Sequence, residues 1–472
     1  MNDPDRPLRL DAPREEALEH AAKLVASAWR SFDRPRPEEP PLDERLRTLL
    51  QARLPQEPLS VHEALDDAAR ALVESIAQPR PRYFAFIGSS GLEIGALGDL
   101  LASTYDMNLA VDARAATMLE EQAVGWVGEF VGYPATNGAF TSGGTISNMT
   151  ALAAARERAL PGSRAAGLGG LGAAVYASAE VHYSITRAVE LLGIGSDRLR
   201  DIPIDAEHRM RPDLLADAID RDVAEGVTPV AVVVTAGTTL TGAIDPIGPI
   251  ADICEARGIW LHIDGAYGLP AASVVPDRFA GVERADSISV DAHKWLYVPK
   301  ACSLALVREP GALSETFAHE QGYLPHQQHE LHAADITLEY SRPFRALKLW
   351  LAFRAHGAEQ FREAIRRNLA EAQLLHRAAS ERPGFETFDA PPHLSIVPLR
   401  HTPPGVDDLN AHNQALAEAI QADGRVYLAS ALIEGQVWLR PCFVNYRTTD
   451  DDVLAVLDVA EELGERIAKG SS

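Results

Sequence analysis

The segment Ser289–Trp295 reads SVDAHKW, and its histidine and lysine come just after a short buried strand. Lysine seldom takes such a position, because removing an ammonium group from water is costly. An imine between Lys294 and an aldehyde cofactor removes that charge and gives a reason for the position. A histidine–lysine pair alone is more often a surface feature, so the neighbouring motifs have to decide.

The first neighbouring motif is LHIDGAY, residues 261–267, in which Asp264 ends a predicted strand. Ligands of α/β proteins bind at the carboxyl edge of the sheet, where this carboxylate would lie. There it can pair with a protonated pyridine nitrogen and keep the ring able to accept electrons. Ala266 is small enough for a flat ring to lie against it. Without Lys294, an ordinary aspartate that caps a helix is the alternative interpretation.

A glycine-containing stretch, TSGGTISN at residues 141–148, leads into a predicted helix. Gly144 lets the backbone approach a phosphate, and the helix N-terminus supplies N–H groups and positive potential. Thr145 can add a hydroxyl. The stretch is not a P-loop, because no Gly-Lys-Ser/Thr follows it.

Two further strand ends carry candidate side chains. His182, in SAEVHY, can stack on a cofactor ring and meet a substrate carboxylate. Thr238, in TAGTT, can form a hydrogen bond at the cofactor edge. The alternatives are a structural histidine and a threonine that caps a turn.

The fold class follows from four near-continuous apolar runs at residues 173–178, 230–235, 259–264 and 302–307. Such strands are buried on both faces, which indicates a mostly parallel sheet between layers of helices. Helical patterns such as 147–158 and 211–225 supply the crossovers. We therefore predict a large α/β domain over residues 83–350.

Smaller segments flank this domain. Residues 1–82 contain two amphipathic helical patterns, at 11–33 and 60–77, but too little material for a core. We expect this segment to lie on another subunit or on the next domain. Residues 351–472 predict a smaller α+β domain, with helices at 359–380 and 406–423 and strands at 393–399 and 436–439.

Composition excludes several classes of protein. The 472 residues carry a formal net charge of −23 with no basic run, so binding to nucleic acid is not expected. No apolar stretch predicts a signal peptide or a membrane span. The three cysteines are scattered, as is typical of reduced thiols, and favour a cytoplasmic location: Cys254, Cys302 and Cys442.

Together these motifs give the chain a resemblance to the group II pyridoxal-phosphate-dependent decarboxylases, in particular to aromatic-L-amino-acid decarboxylases. The resemblance covers about residues 60 to 450. The matching stretches are PRPRYFAF, TSGGTISNMTAL, SAEVHYS, TAGTTLTGAID, WLHIDGAYG, DAHKWL, SRPFRALKLWLAFR and VWLRPCFVNYRTT.

The resemblance implies a fold-type-I enzyme with a seven-stranded sheet, and a homodimer with an intertwined N-terminal segment. Its cofactor would be pyridoxal 5'-phosphate, and its reaction the decarboxylation of an L-amino acid, preferably an aromatic one, to the amine. It also implies site residues: Lys294 as the Schiff-base lysine, Asp264 at the pyridine nitrogen, His182 on the ring face, Gly144, Thr145 and His293 around the cofactor, and the loop tyrosine Tyr323 as the proton donor to Cα.

The chain also departs from the family pattern. Many members have Asn-Pro before the His-Lys pair, where this chain has Asp291-Ala292, so the contact of Asp291 near the phosphate is open. At the substrate pocket, Phe86 and Asn108 suggest a roomier and more polar site than an indole or catechol requires. Decarboxylation of an acidic or diamino acid therefore remains an alternative.

Three other functions share parts of this pattern. An aldehyde synthase of the same family would let oxygen divert the reaction, but the presence of Tyr323 and His182 argues against it. A sphingosine-phosphate-type lyase normally carries a membrane anchor, and a non-catalytic regulator usually carries a DNA-binding module. Four histidines lie in the segment of about residues 317–340 that the resemblance implies to be a loop and that also holds Tyr323. They do not predict a metal site, because their spacing only partly suits one face of a helix and no cysteine or repeated HxxxH accompanies them: His319, His326, His329 and His332.

Overall fold

The computed structural model describes residues 8, 10–36, 43–76, 79–88, 90–319 and 333–470. In this part of the chain, seven strands form the large sheet: β1 (Asn137–Thr141), β2 (Ala173–Ser178), β3 (Leu199–Ile202), β4 (Thr228–Thr235), β5 (Trp260–Asp264), β6 (Ser287–Val290) and β7 (Ser303–Val307). Their order is β1-β7-β6-β5-β4-β2-β3. The predicted α/β class with a mostly parallel seven-stranded sheet is confirmed.

Strand β7 differs from its neighbours in direction. The strands from β3 to β6 pair in parallel, whereas β7 is antiparallel to both β6 and β1. The apolar run of β7 marks a buried strand in the same way as the run of β4. A strand that is buried on both faces needs apolar residues whichever way it runs. The sequence pattern therefore could not distinguish a parallel strand from an antiparallel one.

Helices cover both faces of the sheet and extend beyond it. They are α1 (Arg14–Phe32), α2 (Glu44–Leu50), α3 (Val61–Val73), α4 (Glu93–Tyr105), α5 (Ala115–Val131), α6 (Gly144–Ala159), α7 (Ser163–Ala166), α8 (Tyr183–Leu191), α9 (Pro212–Ala224), α10 (Ile247–Arg257), α11 (Ala292–Trp295), α12 (Ala312–Phe317), α13 (Ala346–Glu381), α14 (Leu409–Asp423) and α15 (Asp450–Gly470). None of the described helices is long and apolar enough to cross a membrane.

A second, antiparallel sheet lies in the C-terminal part and has the order β10-β11-β9-β8. Its strands are β8 (Phe385–Thr387), β9 (Leu399–His401), β10 (Ala429–Ile433) and β11 (Gln436–Arg440). The strand predicted at 393–399 is wrong for most of its length. Its backbone bonds elsewhere: the Ser395 N–H donates to the Tyr267 hydroxyl (2.9 Å), and Ile396 forms only an isolated bridge with Cys442.

The long helix α13 joins the two parts of the molecule. It bends at Gly357, whose φ of 71° and ψ of 156° interrupt the helical geometry. The boundary expected between residues 350 and 351 falls inside this helix, so the three-domain division stays a prediction. Near the other expected boundary, Phe84 packs on Phe443 of the C-terminal part, with ring centroids 4.9 Å apart.

The N-terminal helices pack on one another but leave apolar side chains uncovered. His20 of α1 contacts Asp66 of α3 at 2.8 Å, and a capping box of Ser60 and Glu63 begins α3. Leu18 and Val25 of α1 are 56% and 42% exposed in the single chain. The expected apolar stripe is therefore present and has no cover within the described chain.

Candidate active site

The site lies at the edge of the large sheet where the parallel strands end. Asp264 is the last residue of β5, and Asp291 follows β6 and precedes the single helical turn α11. That turn carries Lys294 back toward Asp291, and Lys294 Nζ lies 2.9 Å from Asp291 Oδ2. The departure from the family pattern at position 291 therefore gives the lysine an ion-pair partner.

Opposing effects set the charges of this pair. Burial raises the pKa of Asp291, but Lys294 and His293 outweigh it, and the net shift is downward. Burial lowers the pKa of Lys294, but Asp291 reverses the shift, and the net direction is upward. Both groups are therefore charged in the absence of a ligand. His293 sits beside them, with Nε2 3.7 Å from Asp291 Oδ2 and Nδ1 2.8 Å from the Cys302 carbonyl.

Asp264 is buried, yet none of the donors around it carries a charge. Its Oδ1 accepts hydrogen bonds from Ala266 N–H (3.1 Å) and Ser289 Oγ–H (3.2 Å). Its Oδ2 accepts one from Asn148 Nδ2–H (2.8 Å). A carboxylate has about four lone-pair positions, so one on Oδ2 remains open to a cationic group.

Helix α6 begins with a cradle at Gly144. A Cβ on this residue would lie 3.1 Å from both Ala266 Cβ and Asp291 Oδ2, so only glycine leaves this space open. Thr145 follows at the same helix N-terminus and is half-buried. The N-terminal N–H groups and the glycine cradle suit an anionic group such as a phosphate.

His182 is the N-cap residue of α8, and its Nδ1 faces Ser184. This nitrogen accepts from Ser184 N–H (3.2 Å) and lies 2.9 Å from Ser184 Oγ. Burial is the main reason that the pKa of His182 is lowered, so the ring is neutral near pH 7. The hydrogen bonds of this ring to described residues all use Nδ1, which leaves Nε2 for a ligand.

The chain matches a known protein family over most of its length. The Pyridoxal-dependent decarboxylase conserved domain matches residues 43–400. The chain belongs to the pyridoxal-dependent decarboxylase family. Like other members, this decarboxylase is a carboxy-lyase of amino acids with pyridoxal 5'-phosphate as its cofactor.

Three relatives of this decarboxylase illustrate the range of the family. An aromatic-L-amino-acid decarboxylase from Bacillus atrophaeus is 30% identical over 438 residues, 90% of this chain and 89% of the relative. A phenylacetaldehyde synthase from Arabidopsis thaliana is 28% identical over 431 residues, 86% of each chain. The solved structure of Oryza sativa TDC with PLP and tryptamine superposes with a TM-score of 0.89 at 26% identity and covers 98% of this chain and 99% of that one.

The residues of the decarboxylase fit this cofactor. Several buried polar atoms at the strand ends have no partner in the described part of the chain: Ser178 Oγ, Thr235 Oγ1 and Asp291 Oδ1. Lys294, which is half-buried, can meet the aldehyde, Asp264 can meet the ring nitrogen, and the Gly144 cradle can hold the phosphate. These roles of individual residues remain predictions.

Other residues predicted from the sequence have local partners, are exposed or lie outside the described residues. Thr238 Oγ1 bonds with Thr241 Oγ1 (2.8 Å) within a turn, which matches the turn-cap alternative. Asn108 Oδ1 accepts from the N–H groups of Ala110 and Arg342, so this oxygen is already engaged. Phe86 is 63% exposed in the single chain. Tyr323 lies outside the described residues.

The described residues do not bring a set of metal-binding side chains together. Within the described ranges, no cluster of three or more histidine, cysteine, aspartate or glutamate side chains could hold a metal ion. Of the four loop histidines, His319 is exposed, and the other three lie outside those ranges.

Sequence reasoning missed three residues near the site. Asn148 and His262 bond to each other behind Asp264 (3.0 Å). His262 stands two positions before Asp264 on one face of β5, a period-two signal that the sequence offered. Arg440, at the end of β11, is buried, and its Nη1 has no partner among the described residues. A lone arginine in the apolar run VWLRPC was the available signal.

Proposed function

We propose that this decarboxylase converts an aromatic L-amino acid to its amine and carbon dioxide. The observation that best supports this reaction is the buried Asp264 carboxylate, which accepts hydrogen bonds only from neutral donors and lies at the same sheet edge as Lys294. The similarity over most of the chain to an aromatic-L-amino-acid decarboxylase supports the substrate class. When bound, the cofactor supplies an electron sink for the pair left as carbon dioxide departs.

Each residue then has one task in the proposed reaction. Lys294 would hold the aldehyde of the cofactor, and Asp291 is the ion-pair partner that positions its ammonium group. Asp264 would keep the ring nitrogen protonated, which maintains the electron demand of the ring. His182 would face the ring and present its Nε2–H to the substrate. Gly144, Thr145 and His293 would surround the phosphate and the ring.

We propose Arg440 as the partner of a substrate carboxylate. Burial lowers the pKa of Arg440, and its buried Nη1 has no hydrogen-bond partner among the described residues. The Cys442 thiol lies within electrostatic range of both Arg440 and Lys294. An anionic substrate group would supply the missing hydrogen-bond acceptor for the guanidinium.

Tyr323 is the proposed acid that returns a proton to Cα. A phenol is a weak acid that suits this step, and Tyr323 is the phenol that the family resemblance assigns to it. We predict that Tyr323→Phe keeps cofactor binding but loses most amine production, measured by product chromatography. Oxygen uptake with aldehyde, ammonia and peroxide is the expected diverted outcome. Amine formation at the wild-type rate would move the role to another donor, with His182 next to test.

Two alternatives stay open on specific grounds. The similarity to a phenylacetaldehyde synthase supports an oxidative outcome, which the same oxygen measurement detects in the unaltered enzyme. An acidic or diamino substrate was suggested by Asn108, but its oxygen is engaged with two backbone N–H groups. The structure therefore weakens the main sequence argument for that alternative.

We also propose a homodimer in the cytoplasm. The exposed apolar side chains of α1 support a second copy as their cover, and the exposed Phe86 would then reach the partner's site. The cytoplasmic location stays a prediction from the three scattered cysteines, all of which are free and buried.

The experiment that tests the function combines labelling with a substrate panel. Borohydride reduction of the yellow enzyme should fix the cofactor mass on the peptide that contains Lys294, detected by mass spectrometry. Lys294→Ala should abolish amine formation from all amino acids, with Lys300→Ala as the matched control that retains it. Label on Lys300 or Lys348 would contradict the assignment. A panel of the twenty amino acids with a few non-protein ones, assayed for carbon dioxide and amine, identifies the substrate.

A further inference from the structure

A continuous chain of buried side chains runs through the sheet behind Asp264. Trp260 Nε1 lies 2.8 Å from Ser287 Oγ, which lies 2.8 Å from His262 Nδ1. His262 Nε2 lies 3.0 Å from Asn148 Oδ1, and Asn148 Nδ2 lies 2.8 Å from Asp264 Oδ2. All five side chains are buried.

The two ends of this chain fix the direction of each hydrogen bond. The Trp260 indole can only donate, and an ionised Asp264 can only accept. The amide group Nδ2 of Asn148 must therefore face Asp264, which leaves Oδ1 to accept from His262 Nε2–H. Burial lowers the pKa of His262 to about 4, so the neutral ring has a single proton. That proton is on Nε2, and Nδ1 accepts from Ser287 Oγ–H.

A branch of the same chain reaches His182. The second proton of Asn148 Nδ2 is donated to Ser184 Oγ (3.0 Å). The Ser184 hydroxyl in turn donates a hydrogen bond to His182 Nδ1, 2.9 Å away. One amide group thus holds both the carboxylate of Asp264 and the imidazole of His182.

We propose that Asn148 and His262 are positioning residues that orient the Asp264 carboxylate toward the ring nitrogen of the cofactor and turn the Ser184 hydroxyl toward His182 Nδ1. This inference rests on the proposed role of Asp264. Asn148 occupies one lone pair of Oδ2 and so fixes the rotation of the carboxylate, while His262 fixes the orientation of the Asn148 amide. Without them, the open lone pair of Oδ2 loses its direction, and the Ser184 hydroxyl loses the donor that turns its proton toward His182 Nδ1.

The test compares two ligands of the apoprotein: pyridoxal 5'-phosphate and its 1-deaza analogue, in which carbon replaces the ring nitrogen. Dissociation constants are measured by the quenching of tryptophan fluorescence. Asn148→Ala should weaken the binding of pyridoxal 5'-phosphate by roughly 10- to 100-fold, the size expected for a hydrogen bond to a charged group. Binding of the deaza analogue should stay unchanged, because it has no ring nitrogen to orient toward.

Two sets of variants separate positioning from folding. His262→Leu should reproduce the selective loss, whereas His262→Gln keeps a donor toward Asn148 and should restore most of the affinity. Asn413→Ala is the matched control: Asn413 is also buried and makes three hydrogen bonds, with His401 and Leu409 of the C-terminal part. It should lower the melting temperature without changing the preference between the two ligands.

The outcomes distinguish the inference from the role on which it rests. Asp264→Asn should remove the preference for pyridoxal 5'-phosphate, and failure to do so would overturn the role of Asp264 itself. If Asp264→Asn behaves as expected but Asn148→Ala weakens both ligands equally, Asn148 is only structural and the inference is wrong. Nitrogen-15 NMR of histidine-labelled apoprotein adds a direct measurement: a His182 ring protonated on Nδ1 at neutral pH would contradict the branch.

Discussion

At the scale of single residues, the buried guanidinium of Arg440 makes a measurable prediction. Arg440→Gln should raise the KM for the amino acid about tenfold or more, because a hydrogen-bonded charge is lost. The cofactor absorbance should not change. The KM of Arg440→Lys should fall between that of the unaltered enzyme and that of Arg440→Gln. The control is Arg400→Gln, since Arg400 is equally buried in the same small sheet but donates to Asn410 Oδ1 (2.9 Å). An unchanged KM in Arg440→Gln would exclude the carboxylate role.

The sequence predicted some site residues and missed others for physical reasons. Lys294 and Asp264 were recognisable because a charged side chain at a buried strand end is expensive and needs an explanation. Asn148 and His262 are neutral and satisfied by one another, so their burial costs little and leaves no such signal. Asn108 is the opposite case: its side chain looks available to substrate in the sequence, but backbone N–H groups of Ala110 and Arg342 already donate to its oxygen. Its place in the substrate pocket stays a prediction.

At the scale of elements, the start of α6 can be tested through its two glycines. Gly144→Ala places a Cβ 3.1 Å from Asp291 Oδ2 and Ala266 Cβ, so it should weaken the binding of pyridoxal 5'-phosphate to the apoprotein. The free energy of unfolding of this variant should not fall together with its affinity for the cofactor, because alanine is favoured over glycine within a helix by about 0.5–1 kcal/mol. Absorbance titration and thermal unfolding measure the two effects separately.

The neighbouring glycine provides the control for this prediction. A Cβ on Gly143 would meet no atom within 4 Å, and its φ of 172° is extended backbone that any residue adopts. Gly143→Ala should therefore bind the cofactor more tightly than Gly144→Ala does. Equal affinities in the two variants would show that the cradle at Gly144 does not limit the space for the ligand.

Elements were predictable where hydrophobicity alone determines them. The run at 173–178 became β2 with the same bounds, and the core of β4 and β5 was found in the same way. The segment at 393–399 has similar apolar character, but Pro398 cannot donate to a ladder, and Ser395 bonds to Tyr267 of the large domain instead. A contact between distant segments decided its conformation, and local sequence does not contain that information.

At the scale of the whole molecule, apolar surface remains that the single chain does not cover. Besides the N-terminal helices, α4 exposes a row of large apolar side chains while its glycine face packs on α13. Its exposed residues are Leu97, Leu100, Leu101 and Tyr105. Contiguous apolar surface of this kind marks interaction sites in proteins, and a symmetric second copy is the simplest cover.

The corresponding prediction is that Leu100→Glu breaks the proposed homodimer. Leu100 is 50% exposed on α4, and a glutamate there would have to be desolvated in the interface, which is unfavourable. Sedimentation at micromolar concentration should show a dimer for the unaltered enzyme and a monomer with little activity for the variant, because the exposed Phe86 would no longer meet a partner's site. Leu191→Glu is the matched control, since Leu191 is 68% exposed but lies on α8. A fully active monomer of the unaltered chain would contradict both the dimer and the shared site, whereas dissociation by both variants would place the interface on a wider surface than α4.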